Sequence, residues 1–451
     1  MSNTPTQVNE HYLDRVVAIA DTSGVEATED IMAGNGMKLV AKGARIDGRM
    51  KERLMAYQLI KPLESMLRVV DSVAASDLDS LAEHLLETQP LLAALCGRIA
   101  GKAVVSQLRH IKLSQPVEAL LSVYRKESPT RLSHAVGVAL MAGAMGQELP
   151  AAQGVGLQTM ILAGLLHDVG ELYIDPAILK PTGRLTADQM KHIATHPLVA
   201  GHLLRDMAGA GPAVADIVLH HHERRDGFGY PFGYTAERLP AGGQVLAAAE
   251  LMMGLIESGR APSERAAVAV KLIPGEFDRP VLDRIVRASR SAPSAEEVRQ
   301  AAAPSVPAPE LAARVVGLHA TLTGLNQMSG QAVEHASKGS PALKALAQHA
   351  ADRCVRIYRA FSSTGLDVHG PAELLAVVEG MEPHLRFEVD VVVRELEWRL
   401  REVKREVRRR AERLSAADQA LVARIIDGAK AQAREAIRSG EAIQRGEIAA
   451  A

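Results

Sequence analysis

Imidazole and carboxylate side chains recur along residues 134–223 in a way that restricts how this chain can fold. His134 stands first, the adjacent pair His167-Asp168 follows, then His196, then His220, His221, His222 and Glu223 without a break. Eight of the sixteen histidines fall between 134 and 222, so the grouping is local and not a product of overall composition. A fold that uses them together must bring four separate segments to one place. Imidazoles and carboxylates gathered like this can hold more than one divalent ion. A two-ion site activates water and stabilises a displaced phosphate oxygen, which points to metal-dependent hydrolysis of a phosphate ester.

Composition narrows the alternatives. A chain of 451 residues can form two or three domains with a sizeable core. The formal net charge of -1 gives no basic field for a nucleic acid polymer. Cys96 and Cys354 are the only cysteines; they form no disulfide framework, which suits a reducing cytosol. Val245 to Ile256 is the most apolar stretch, and Glu250 interrupts it. A bilayer needs roughly 20 apolar residues, so no membrane span is expected. The N-terminus is polar and lacks a signal-peptide core. These readings make the expected location cytoplasmic.

The chain reads as mainly α, with a small β-containing N-terminal module and a helical, coiled-coil-like C-terminal region. Val16–Ile19 reads as a strand. Asp30-Ile31-Met32 and Met37–Val40 flank Asn35-Gly36, a dipeptide that suits a tight hairpin. Ser76 or Asp77 is placed to cap a helix through Leu81, Leu85 and Leu86 that ends at Gly97 or Gly101. From about Val117 the helices carry the histidines. Gly170 is placed to end the helix that His167-Asp168 close, and Thr186 with Gln189 makes a capping box opening a helix that carries His196. Pro293, Pro304, Pro307 and Pro309 mark a linker with one short helix at 294–302. Beyond it, Leu385, Val389, Val392, Leu396, Val403 and Val407, with Leu400 between, form a heptad-like seam that suits a homodimer or another protein partner. The expected divisions are 1–112, 113–290, 291–310 and 311–451.

In His167-Asp168 the two side chains leave a helix roughly 100° apart. The ring can bind one ion while the carboxylate reaches a second. Imidazole with carboxylate suits Fe or Mn, and also Zn.

Residues 115–288 resemble HD-GYP domains, the cyclic di-GMP phosphodiesterase branch of the HD phosphohydrolases. The matching residues are His134; Leu166-His167-Asp168-Val169-Gly170; Leu185-Thr186; His196-Pro197 with Gly201; His221-His222-Glu223; Asp226-Gly227-Phe228-Gly229-Tyr230-Pro231 with Gly233; and Gly275-Glu276-Phe277-Asp278. The resemblance implies an all-helical HD-type bundle. It implies a first metal on His134, His167, Asp168 and Glu250, and a second on His196, His221 and His222 with Asp168 bridging. Two divalent ions, Fe or Mn, would act on cyclic di-GMP, giving linear pGpG or GMP in bacterial second-messenger signalling. Asp226, Gly229 and Tyr230 would flank the substrate, and Asp168, Glu171 and Arg260 would belong to the catalytic set.

The chain departs from the family pattern at several of these positions. Glu250 stands where Asp is usual, Glu171 where a phosphate-reaching Lys is usual, Gln244 where Arg is common and Met253 where Asp is common. Thr130 replaces the Glu of three-metal members, so two ions are expected. An alternative function follows from these departures: a degenerate domain that binds nucleotide or protein without cutting. Of the other histidines, His192, His202 and His220 are expected to be solvated or packing residues, and Glu223 to orient a ligand imidazole.

Overall fold

The structure is a computed structural model. It describes residues 6–149, 155–180, 185–272, 275–291, 293–303, 306–424, 426 and 427. Two compact units divide the chain: Met1–Glu257 with Phe277–Arg284, and Ser258–Glu276 with Ile285–Ala451.

The first unit opens on α1 (Glu10–Ser23), where Asn9 caps the helix by accepting from the Tyr12 amide. Val16–Ile19, expected as a strand, lie inside this helix. Its buried apolar residues include Tyr12, Leu13, Val16 and Ile19, a three-and-four spacing that one helical face satisfies and an alternating strand would not. β1 (Val25–Ala27) and β4 (Leu67–Val69) form one antiparallel pair, β2 (Ile31–Met32) and β3 (Lys38–Val40) another, with α2 (Gly48–Met55) between. The second pair is the expected hairpin. Gly36 takes φ 81° there, and Asn35 Oδ1 accepts from the Met37 amide at 3.0 Å.

Three helices replace the single one expected beyond Ser76: α3 (Ala75–Thr88), α4 (Pro90–Cys96) and α5 (Arg98–Arg109). Pro90 cannot donate into a continuing helix and starts a new one, and Gly97 at φ 69° turns the chain again. Ala74 occupies the cap position, with the Asp77 carboxylate accepting from its amide at 3.0 Å. The histidine-bearing helices follow: α6 (Gln115–Glu127), α7 (Pro129–Gly146), α8 (Leu157–Leu166), the short α9 (Pro176–Leu179), α10 (Ala187–Ile193), α11 (His196–Arg205), α12 (Gly211–Leu219) and α13 (Ala241–Glu257). α7 packs on α5, α8 and α13, and α12 packs on α8 and α11. Gly164 makes the α7–α8 crossing possible, because a Cβ there would lie 2.4 Å from Ala139 Cα.

The N-terminal module is fastened to this bundle. Arg15, 3% exposed, donates to the carbonyls of Leu172 and Ile174 at 2.9 and 3.0 Å and pairs with Glu127 at 3.2 Å. Tyr12 stacks on Tyr173 with ring centres 5.1 Å apart. Burial in that setting makes the Tyr12 hydroxyl harder to ionise.

The second unit contains α14 (Pro262–Ala269), α16 (Ala295–Ala302), α17 (Ala308–Ala336), α18 (Pro341–Ser362), α19 (Pro371–Gly380) and α20 (Pro383–Ala411); α15 (Arg279–Ser291) begins in the first unit. α16 falls within the proline-rich stretch and has a Ser294–Glu297 capping box. Pro304, part of the linker expectation, lies outside the described residues. On α20 the expected seam is covered within the unit. Val392, Leu396 and Val403 are buried and Val407 packs against a cluster with Leu343 and Leu346 of α18, whereas Leu385 is 43% exposed. Glu276, Arg353 and Arg399 form a buried ion triad, with Arg399 at 2.8 Å from the carboxylate and Arg353 at 2.5 Å. Cys96 and Cys354 are both free and buried.

No single helix among the described residues is long and apolar enough to cross a membrane; α4 and α5 reach that length only together, and they meet at 93°.

Candidate metal centre

His134 sits in the first half of α7, with its ring between two carboxylates of α13. Nε2 lies 3.0 Å from Glu250 and Nδ1 3.0 Å from Glu257. His167 follows directly on α8, and its Nε2 is 3.2 Å from Glu250 Oε2 and 3.2 Å from Asp168 Oδ2. The other Asp168 oxygen, Oδ1, is 3.2 Å from His196 Nε2 and 3.5 Å from His221 Nε2. His222 completes this side, its ring centre 4.1 Å from that of His221. Two groups result, His134–His167–Glu250 and Asp168–His196–His221–His222, each with ligand atoms within 4.8 Å of one another. Asp168 offers one oxygen toward each.

Local backbone geometry presents the rings. His167, His196 and His221 each direct Nδ1 at the carbonyl three residues earlier: Gly164 at 2.8 Å, Ile193 at 2.7 Å and Val218 at 2.6 Å. A carbonyl only accepts, so Nδ1 carries the hydrogen and Nε2 keeps its lone pair. That lone pair has no donor in His167, where Nε2 is buried without a hydrogen-bond partner. His196 and His221 set their Nε2 atoms 3.1 Å apart. Two lone pairs at that distance repel unless a cation or proton intervenes. These donors fit a divalent metal.

The electrostatics agree. Burial alone would lower the His134 ring, but Glu250 and Glu257 raise it to about 10. Burial likewise opposes protonation of His167 and His196, and Asp168 reverses it. Asp168 and Glu250, although buried, stay well below the usual carboxylate range because the histidines surround them. His221 goes the other way, to about 4, through burial and the like charge of His196 and His167. Proton and metal compete for the same lone pairs.

Gly170, expected as a helix end, lies in a tight turn at 169–173 with no left-handed φ. Its reason is proximity: a Cβ there would stand 2.1 Å from the His196 carbonyl oxygen. The turn carrying Asp168 and the start of α11 can meet only because that side chain is absent.

All seven expected ligands fall in the two groups. Glu250, one methylene longer than the usual Asp, reaches both rings. Glu171 lies outside both groups and pairs with Arg131 at 3.0 Å. Burial and the neighbouring Asp168 push its carboxyl above the usual range. Arg260 belongs to the second unit, where its guanidinium donates to the carbonyls of Gln300 and Ala303. Tyr230 stacks on His222, ring centres 4.6 Å apart. Gly229 passes so close to Glu223 that a Cβ would lie 2.3 Å from Glu223 Cα. Asp226 accepts from the Phe228 amide at 3.2 Å, shaping the same loop.

Glu223 orients no ligand ring. Its carboxylate accepts from the amides of Phe232, Gly233 and Tyr234 at 2.7, 3.1 and 3.1 Å, tying down the loop beyond Tyr230. Gln244 accepts from Arg225 at 2.7 Å, and Met253 fills the space left by Gly137 on α7. His192 and His202 are exposed, and His220 is buried against Phe232 and Tyr234. Two participants escaped the sequence reading. Glu257 lies two turns beyond Glu250 on α13, and Arg131 one turn before His134 on α7; helical spacing was the available signal for both.

Residues 117–283 match the HD domain family. Over 173 residues the chain is 32% identical to a cyclic di-GMP phosphodiesterase of Pseudomonas aeruginosa, covering 33% of this chain and 40% of that protein. Over 130 residues it is 33% identical to a cyclic di-GMP phosphodiesterase response regulator of Xanthomonas campestris, covering 28% and 32%. A 3'3'-cGAMP-specific phosphodiesterase of Vibrio cholerae is 28% identical over 139 residues, covering 30% and 32%. The chain thus spans 32% to 40% of the length of these relatives. With Gly229-Tyr230-Pro231 folded onto the second ligand group, this segment is an HD domain of the HD-GYP kind.

Proposed function

We propose that the chain hydrolyses the phosphodiester of cyclic di-GMP to linear pGpG, GMP or both, using two divalent ions, Fe or Mn. The observation that carries the reading is Asp168, whose two oxygens serve two separate ligand groups. When bound, the ions supply positive charge to phosphate oxygens and make water acidic enough to attack near neutral pH. His134, His167 and Glu250 would hold one ion; His196, His221 and His222 the other. In the reaction a water oxygen joins phosphorus, the bond from phosphorus to a ribose oxygen breaks, and the leaving oxygen takes a proton. Tyr230, flat against His222, closes one side of the site and offers its ring to a base or ribose; Asp226 and Gly229 hold that loop in shape. The relatives named for this substrate support its choice.

The test is hydrolysis of cyclic di-GMP by anaerobically purified protein supplied with iron or manganese, with metal content assayed in the same sample. Asp168→Ala is expected to abolish turnover and lower metal content while helicity persists. Turnover retained by that variant in a metal-replete sample would overturn the mechanism.

A second reading is favoured by one observation, the Arg131–Glu171 ion pair. Where the family's Lys would meet phosphate, this chain places a carboxylate whose partner cation is already engaged. A domain of this kind would bind nucleotide or a signalling protein without cutting. In that case metal binds, the parent is inactive, and Glu171→Lys with Glu250→Asp creates activity.

The reading also includes flanking accessory regions at 1–112 and 311–451 and a homodimer through the C-terminal helices. Leu385 is an exposed apolar side chain there that a second copy could cover. A monomeric mass by light scattering at micromolar concentration would exclude the dimer.

A further inference from the structure

Beyond the metal ligands, the loop held by Glu223 forms one wall of an open recess of about 590 Å³. His220, Phe232, Tyr234 and Arg238 line it, with the carboxylates of Asp216 and Glu237 at its edge. Phe232 and Tyr234 stack with ring centres 4.8 Å apart and 16° between planes. The Arg238 guanidinium lies over the Tyr234 ring, 3.7 Å from its centre. Flat aromatic and guanidinium surfaces are what nucleobases stack on.

The recess shares no residue with the two ligand groups but neighbours them in sequence. His220 lines it and is followed at once by His221 and His222. Tyr230 touches His222, and Phe232 is two residues further on, within roughly 7 Å of extended chain. The chemistry of the edge selects among bases. Guanine presents two adjacent N–H donors, on its ring nitrogen and its amino group, which a carboxylate accepts together; adenine presents an acceptor there. The relatives include enzymes named for cyclic di-GMP and for 3'3'-cGAMP, substrates that differ in a single base.

We propose that this recess is a guanine subsite, in which a base of the dinucleotide stacks on the Phe232–Tyr234–Arg238 surface and donates to Asp216 or Glu237. The proposal rests on the substrate reading above. Its test compares the metal-loaded full chain with Tyr234→Ala, Arg238→Ala, Glu237→Gln and Asp216→Asn. Each is assayed on cyclic di-GMP and on bis(4-nitrophenyl) phosphate, a diester without a base, and GMP and AMP are tried as inhibitors of the second reaction. Tyr234→Ala and Arg238→Ala are expected to raise KM for cyclic di-GMP roughly 5- to 100-fold with little change in kcat, as loss of base stacking does. The base-free diester should be cut as before. At least one of the two carboxylate variants should narrow the preference for GMP over AMP. Unchanged KM in both stacking variants, with cyclic di-GMP still cleaved, overturns the subsite. If Tyr234→Ala also loses metal or base-free activity, the loop has moved, and Arg238→Ala, at an exposed side chain, decides alone. If the parent cuts the base-free diester but never cyclic di-GMP, the substrate reading fails. The subsite then stands or falls on whether GMP inhibits the parent and is weakened by Arg238→Ala.

Discussion

At the scale of single residues, the centre is a contest between protons and metal. His134 is held near 10 by Glu250 and Glu257, above the 6.5 of a free imidazole. A ring whose folded value is raised contributes stability below its unfolded value and loses it as pH climbs through the folded one. His221, lowered to about 4, contributes in the opposite sense, losing stability as pH falls from 6.5 toward 4. Chelated protein is therefore expected to melt highest near neutral pH and progressively lower toward pH 10. Metal-loaded protein should lose this dependence on the alkaline side, because its ligand rings carry no proton to lose. Melting curves from pH 5 to 10, with and without chelator, check this; identical profiles would count against metal on His134. Asp168 adds a second expectation. With one oxygen committed to each group, the first ion fixes a ligand of the next, so metal titration should be cooperative, and independent sites in calorimetry would contradict it. The candidate ligands were legible because the resemblance to HD-GYP domains points to them residue by residue, and the histidine grouping drew attention to the segment. Glu257, Arg131 and the role of Glu223 were not, since each depends on which face meets which helix or loop.

At the scale of elements, the centre depends on two close approaches. Gly170 lets the Asp168 turn meet the His196 carbonyl, and Gly164 lets α8 meet α7. Gly170→Ala must displace α11, and with it His196, from Asp168. Retained folding with weakened metal at the second group is the expected outcome, measured as metal content after dialysis; the first group, on α7, α8 and α13, should be less affected. Overlap with backbone leaves no flexible side chain to yield, so the loss should exceed the 1–3 kcal/mol typical of core overpacking. The element-level reading of the sequence failed where local preference and tertiary context disagreed. Val16–Ile19 is β-branched and looks like a strand, but the Asn9 cap and the buried spacing from Tyr12 to Ile19 make it helix. The apolar stripe of α20 is buried in part within its own unit, at Val392, Leu396 and Val403, while Leu385 stays exposed. Periodicity reports that a face is buried and says nothing about what buries it.

At the scale of the molecule, each unit has its own fixed point. In the second, Glu276 neutralises Arg353 and Arg399, all nearly inaccessible to water. Glu276→Ala would remove the carboxylate that Arg353 and Arg399 share, leaving Arg399 with Glu395, and a loss of about 3 kcal/mol is expected, read as a lowered melting transition with the metal-dependent shift of the first unit preserved. If instead that transition is unmoved, the triad contributes little to stability. In the first unit the corresponding point is Arg15. It grips Leu172 and Ile174 a few residues beyond Asp168, with no flexible loop between. Anything that tilts α1, a small molecule on the hairpin or a protein pulling at the N-terminus, would be transmitted through those two bonds to the carboxylate that the ligand groups share. Through Arg15 the module is thus coupled to the turn that follows Asp168, and Arg15→Ala is expected to weaken metal retention at the groups that share Asp168, read as metal content after dialysis.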